Sequence, residues 1–165
     1  MKVKHCLACG EALEWTRDQE GRERKKCPVP SCGWVHYGNP TPVVAAIVEH
    51  PDGILLARNK GWPEGMFGLV TGYLEAGETP EDGVLREVKE ELGLDAEIVG
   101  LVGVHAFELK NELLVTYHVR ASGEIKLGAE LAAYKPVLEE KLRPWPVGTG
   151  HAVRDWLRGR GRTDL

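Results

Sequence analysis

The chain has 165 residues, 42% of them hydrophobic and 28% charged, which suits one packed domain plus a small attachment and excludes a disordered chain. Its formal net charge of −4 excludes a general attraction to nucleic acid or anionic membrane. The longest apolar run, 43–48, is far too short to span a bilayer, and the N-terminus carries no apolar stretch, so a soluble cytoplasmic protein without a membrane partner is expected.

All four cysteines lie near the N-terminus, as Cys6-Leu-Ala-Cys9-Gly10 and Cys27-Pro-Val-Pro-Ser-Cys32-Gly33. Two pairs at this separation can supply four thiolates in a tetrahedron, the arrangement preferred by structural Zn²⁺. The second pair has the wider spacing, and His5 and His36 stand nearby as substitute ligands. Gly10 and Gly33 allow the tight turns that bring backbone amides to the sulfurs. Residues 11–24 are predicted to form a hairpin turning at 18–21. The basic residues Arg17, Arg22, Arg24, Lys25 and Lys26 are diluted by five acids, so direct contact with nucleic acid is not expected.

Residues 37–42, with Pro40 and Pro42, read as a stiff linker. Strands are predicted over 43–49 and 54–58 around a Pro51-Asp52-Gly53 turn, and a short one over 66–71. Residues 59–65 form a Gly/Pro loop carrying Trp62. Thr79 is a good N-cap, Pro80 fits the first helical position, Asp82 can return the cap, and Gly93 can close the helix in the left-handed conformation. On this helix Glu87, Glu90 and Glu91 share one arc, while Val84, Leu85, Val88 and Leu92 share an adjoining apolar arc. Carboxylates at i, i+3 and i+4 repel, and the last turn disfavours anions. A divalent cation with oxygen ligands offsets both penalties. Strands follow over 97–107 and 113–120, residues 129–135 read as a short helix or irregular, and a closing helix spans 150–157 with Val153, Trp156 and Leu157 inward. The tail, 158–165, is expected to fray.

The stretch Gly72–Leu94 resembles the Nudix box: Gly72, five residues, Glu78, seven residues, then Arg86-Glu87-Val88-Lys89-Glu90-Glu91-Leu92-Gly93-Leu94. The resemblance implies an α/β fold, a Nudix α/β/α sandwich with a mixed sheet over 39–165, preceded by a small zinc ribbon over 1–38. It implies that Glu87, Glu90, Glu91 and the Gly72 carbonyl hold Mg²⁺ or Mn²⁺, that Arg86 and Glu78 pair to tie loop to helix, and that the chain forms a homodimer.

The activity so implied is metal-dependent hydrolysis of a pyrophosphate in a nucleoside diphosphate linked to another moiety, such as ADP-ribose, FAD or NADH. The general base is either Glu87 or a loop residue. Glu130 is the loop candidate, because 123–131 resembles the segment with a late glutamate in bacterial NADH pyrophosphatases. The Ser-Gln-Pro-Trp-Pro-Phe-Pro-like motif of that branch is absent, and residues 105–111 stand in its place. Trp62, Phe67, Tyr73, Phe107 and Tyr117 are the aromatic candidates for a base platform, and Arg58, at a strand end, for a phosphate contact. Two other readings are an inactive domain that senses a nucleotide ligand, and an enzyme that removes NAD-type caps from RNA. The full set of box glutamates favours an enzyme.

Overall fold

The computed structural model describes residues 3–165. The chain divides into two compact units, with the break after Asn39.

The first unit is a three-stranded antiparallel sheet of β1 (Glu14–Arg17), β2 (Glu23–Lys26) and β3 (Val35–His36). Asp18 makes the β1–β2 turn: Oδ1 accepts from the Glu20 and Arg22 amides at 3.0 and 2.9 Å, and Oδ2 from Arg24 Nε at 3.2 Å. These bonds, charge-assisted at Arg24, hold the Asp18 carboxyl below its ordinary range.

The second unit is built on β4 (Thr41–His50), β5 (Gly53–Asn59), β6 (Val70–Tyr73), β7 (Ala96–Phe107), β8 (Glu112–Ala121) and β9 (Leu131–Val137). The sheet order is β7-β8-β4-β5-β9. β4 runs parallel to β8 along one edge. Its other edge is shared: residues 48–50 pair with β5 and residues 43–46 pair with β6, both antiparallel. The β4 run 43–48 is buried throughout, as befits a strand covered on both faces.

Strand alternation sorts the core into two layers. Val44, Ala46 and Val48 face one side with Leu55, Ala57 and Val70, under helix α1 (Pro80–Leu92) and its Val84, Val88 and Leu92. Ala45 and Ile47 face the other side with Ile54, Leu56 and Leu69, under helix α2 (Gly150–Gly159) and its Val153, Trp156 and Leu157. The α2 side is also polar. His118 Nε2 lies 2.7 Å from Glu49 Oε2 and its ring meets Trp156 edge-on, while His105 Nε2 lies 2.9 Å from Asp155 Oδ2.

Two expectations fail here. Residues 131–137 are a strand, because β5 offers a free edge and the register from Ile54↔Val137 to Asn59↔Leu131 fills it. Pro136 is tolerated because β9 is an edge strand. The tail is also anchored. The Arg162 amide donates to the Leu157 carbonyl at 3.0 Å, Arg162 Nη1 donates to the Glu139 carbonyl at 3.0 Å, and Arg160 Nη2 lies 2.8 Å from Glu139 Oε2. Smaller shifts move the third strand to 70–73 and the start of β4 to Thr41, so 41–42 belong to the sheet and not to a linker. Among the described residues no helix is long and apolar enough to cross a membrane.

Candidate active site and cysteine centre

The helix that carries the acidic residues is fixed at both ends by its own sequence. The Asp82 amide donates to Thr79 Oγ1 at 3.1 Å, and the Thr79 hydroxyl donates back to Asp82 Oδ2 at 2.6 Å. Gly93 takes φ 72 and its amide donates to the Lys89 carbonyl. Past the helix, the Lys126 and Gly128 amides donate to the Leu92 and Glu91 carbonyls at 2.8 and 2.9 Å. The 122–130 loop thereby satisfies two carbonyls that the helix end leaves orphaned.

Arg86 joins this helix to the preceding loop. Its Nε and Nη2 grip Glu78 in a fork at 2.8 and 3.1 Å, and Nη2 also donates to the Tyr73 carbonyl at 3.1 Å. Its remaining nitrogen, Nη1, reaches Glu87 Oε1 at 2.6 Å and Glu90 Oε2 at 3.1 Å. Hydrogen bonds from Arg86 lower the Glu78 carboxyl.

Arg86, Glu87 and Glu90 line a cleft of about 570 Å³ with Gly72, Trp62, Tyr73, Glu91 and Glu130. The three box glutamates differ sharply in setting. Glu90 is exposed, Glu87 is half-buried, and Glu91 is 6% exposed. Glu91 Oε2 is buried without a hydrogen-bond partner among the described residues. Burial, and then the charges of Glu87, Glu130 and Glu90, push its carboxyl up to about 8. Burial raises Glu87 as well. A buried, orphaned carboxylate amid three others is costly unless a cation joins them, and hard divalent cations take such all-oxygen sets. The residues present therefore fit Mg²⁺ or Mn²⁺.

Glycines make the room. A β-carbon on Gly72 would collide with the Glu87 carboxyl, and one on Gly128 would collide with the Glu90 carbonyl oxygen. Gly68 similarly lets the Trp62 ring lie over the sheet, since a β-carbon there would meet the ring at 3.2 Å.

Of the aromatic and cationic candidates, the cleft holds only Trp62 and Tyr73. Arg58 and Phe67 lie outside the lining of this cleft. Arg58 shares its strand face with Ile54 and Leu56, on the α2 side, and Phe67 packs against the same layer as Leu69. Tyr117 lies in the α1 core, and its hydroxyl donates to Glu81 Oε1 at 2.6 Å. Phe107 ends β7 beneath Lys110, whose Nζ stands 5.7 Å from the ring centre. Among the cleft residues that the sequence did not point to are Lys110 and Glu112. Both flank a turn, and turn composition gave no reason to place them near the box. Residues 105–111 complete β7 and a short 3₁₀ turn that ends at Asn111 with φ 54, so no extended loop stands where the absent proline-rich motif would be.

In the ribbon, Sγ of Cys6 lies 3.6 Å from Sγ of Cys32, and Sγ of Cys9 lies 3.5 Å from Sγ of Cys27. All four sulfurs lie within 4.8 Å of one another. A disulfide would need about 2.05 Å. A tetrahedron with Zn–S near 2.3 Å requires sulfurs about 3.8 Å apart. The four thiols thus fit one Zn²⁺, and the wide second spacing is accommodated by a turn in which the Cys32 amide donates to the Val29 carbonyl at 3.0 Å. Neither His5 nor His36 is needed as a substitute.

A three-layered helix–sheet–helix unit with an acidic helix facing a glycine-floored cleft, in a chain that also carries a four-cysteine ribbon, defines a recognisable class. The chain belongs to the NUDIX domain family, whose model matches residues 39–154, and the model for the Nudix N-terminal zinc ribbon matches residues 4–38. Among curated proteins it is 38% identical over 135 residues to the human NAD-capped RNA hydrolase NUDT12, covering 76% of this chain and 29% of that one. It is 31% identical over 123 residues to the NAD-capped RNA hydrolase NudC of Stutzerimonas stutzeri, covering 74% and 43%. The chain therefore spans well under half the length of these relatives. A NUDIX hydrolase from Nitrosomonas europaea shares the fold at TM-score 0.79 and 23% identity, covering 96% of this chain and 93% of that one. An ADP-ribose pyrophosphatase from Streptococcus suis aligns at TM-score 0.60 and 25% identity, covering 77% and 96%. The relatives named for capped RNA leave the expectation of no nucleic-acid partner without support.

Proposed function

We propose that this chain hydrolyses the pyrophosphate of NAD-type dinucleotides, free or as the 5′ cap of RNA, with a divalent cation in the cleft. The observation that carries the reading is the buried, unpartnered Glu91 carboxylate facing Glu87, Glu90 and Glu130 beside Gly72. A divalent cation held there would supply charge neutralisation of the diphosphate and a water of lowered pKa. Glu87, Glu90, Glu91 and the Gly72 carbonyl would hold it. The water oxygen bonds to phosphorus, the bond from phosphorus to the bridging oxygen breaks, and each product keeps one phosphate.

Glu130, exposed on the loop strapped to the end of α1, receives the water's proton. Its carboxylate is close enough to raise both Glu87 and Glu91. Trp62 offers a ring to the base, and Lys110 a cation to the phosphates. Zn²⁺ in the ribbon is structural.

The test is turnover of NADH, ADP-ribose, FAD and an NAD-capped RNA by the full chain with Mg²⁺, with products identified. Expected products are AMP from NADH, ADP-ribose and FAD and a 5′-monophosphate end from the RNA. No cleavage of any of these diphosphates would overturn the reading in favour of a ligand sensor.

A further inference from the structure

The ribbon holds more ordered ring surface than its small core uses. Its register sets Trp15 of β1 beside Lys25 of β2, and Lys25 beside His36 of β3. Residues in register share a face, and Trp34, two positions before His36, stacks on it with ring centres 6.0 Å apart and planes 12° apart. Lys25 Nζ lies 5.2 Å from the Trp15 ring centre and donates to the Val3 carbonyl at 2.6 Å, so the indole is steadied by a fixed cation. Trp15 nevertheless keeps 70% of its surface in solvent.

Charge on this face is net positive by one. Its strand residues are Arg17, Lys25 and one acid, Glu23, which Arg17 already matches at 3.9 Å. Asp18 and Glu20, in the turn, are occupied by Arg24 and Arg22 at 3.2 and 3.0 Å. A large exposed ring beside stacked rings and a surplus cation is suited to unpaired bases and their phosphates. A duplex hides its base faces, so it has no use for such rings.

We propose that this ribbon face binds single-stranded RNA, with Trp15 stacking on a base and Lys25 meeting the backbone. The ligand class rests on the RNA reading of the cleft, whereas the surface itself is read from the ribbon alone.

The test uses the full, zinc-loaded chain and a labelled, uncapped 5′-monophosphate RNA of about ten nucleotides, a length suited to such platforms. Fluorescence anisotropy should show Trp15→Ala binding about tenfold more weakly, or about 1.4 kcal/mol. Trp15→Phe should retain most of the affinity, and Lys25→Gln should reduce the salt slope by about 0.7. Hydrolysis of free NADH should not change in any variant. A duplex of the same sequence should compete poorly.

Unchanged RNA affinity in both Trp15→Ala and Lys25→Gln overturns the proposal, as does equal competition by duplex. Unchanged affinity with loss of self-association in sedimentation would assign the face to a second copy of the chain instead. RNA binding that depends on Trp15 in a chain that cleaves no cap would leave the platform standing and remove the cap reading. Cap cleavage indifferent to Trp15 would do the reverse.

Discussion

Gly72 lies flat against the carboxylate of Glu87, with no space between them for a single β-carbon. Strand alternation turns Val70 and Gly72 toward α1, and the helix turns Glu87 back toward β6. The absence of a side chain at one position is thus what lets a charged one at the other reach the floor of the cleft. Gly72→Ala should cut metal-dependent turnover about a hundredfold, the scale expected when a reacting group is misplaced by about 1 Å. The fold should survive, because the flanking β4–β6 pairs Ala45↔Thr71 and Val43↔Tyr73 are untouched. Near-normal kcat with an unshifted Mg²⁺ dependence would refute the placement.

Glu91 gives a pH dependence with a definite sign. Its folded carboxyl is raised to about 8 from an ordinary value near 4.5, so the folded state retains a proton that the unfolded state releases. In chelator, stability should be highest below about pH 4.5 as far as this group is concerned, fall as pH rises toward 8, and level off above. The expected loss is a few kcal/mol. Glu91→Gln should flatten that slope in chemical unfolding, leave the metal-free chain at least as stable at pH 8, and nearly abolish turnover. A Glu91→Gln chain that keeps its activity, or loses stability at pH 8, would make this carboxylate structural.

Glu78 has the opposite sign. Its carboxyl is lowered by Arg86, so the pair stabilises the fold above the ordinary glutamate range and the benefit is lost as pH falls through the lowered folded value. The two slopes can be separated by comparing Glu78→Gln with Glu91→Gln over the same acid titration.

The cysteine geometry predicts about one equivalent of zinc per chain, measured by metal analysis of protein purified without added zinc. Cys9→Ser should lower the ribbon's thermal stability and zinc content, with little change in the Mg²⁺ dependence of NADH hydrolysis. Two disulfides on mass analysis of the non-reduced chain would contradict the assignment.

The short β7–β8 turn predicts catholic choice among free ADP-linked diphosphates. With Lys110 and Glu112 where a proline-rich loop would otherwise stand, NADH should show kcat/KM within about a hundredfold of ADP-ribose and FAD, or about 2.7 kcal/mol. A larger preference for NADH would show that residues 105–111 recognise the nicotinamide half by other means.

What could be read from sequence followed how local its cause was. Thr79, Pro80, Asp82 and Gly93 determine the ends of α1 through bonds to their own neighbours, so the helix was legible. The cysteine cluster was legible for a similar reason, since thiol spacing limits what can close around one ion. β9 was not legible, because Ala132-Ala133-Tyr134-Lys135 has weak strand character and is held by the free edge of β5. Arg58 and Phe67 show why the face matters: their distance from the box in sequence is short, but a period of two sends them to the far layer. The contrast between buried Glu91 and exposed Glu90 likewise depends on the 122–130 loop, which only the folded chain brings to the helix end.

β4 lends one edge to two partners, β5 at residues 48–50 and β6 at residues 43–46, and the segment carrying Trp62 runs between them. Each ladder closes without that segment. It behaves like a handle bolted at both ends: its rings can be exchanged while the strands keep their register, the helix keeps its caps and the box glutamates keep their positions, and its tie to the other acids is the Lys60 amide, which donates to the Glu130 carbonyl at 2.9 Å. If Trp62 meets the base as proposed, recognition of the nucleotide and cleavage of the phosphate are separable inheritances in this architecture. A change of substrate can be reached through the handle alone, at little cost to the machinery it serves.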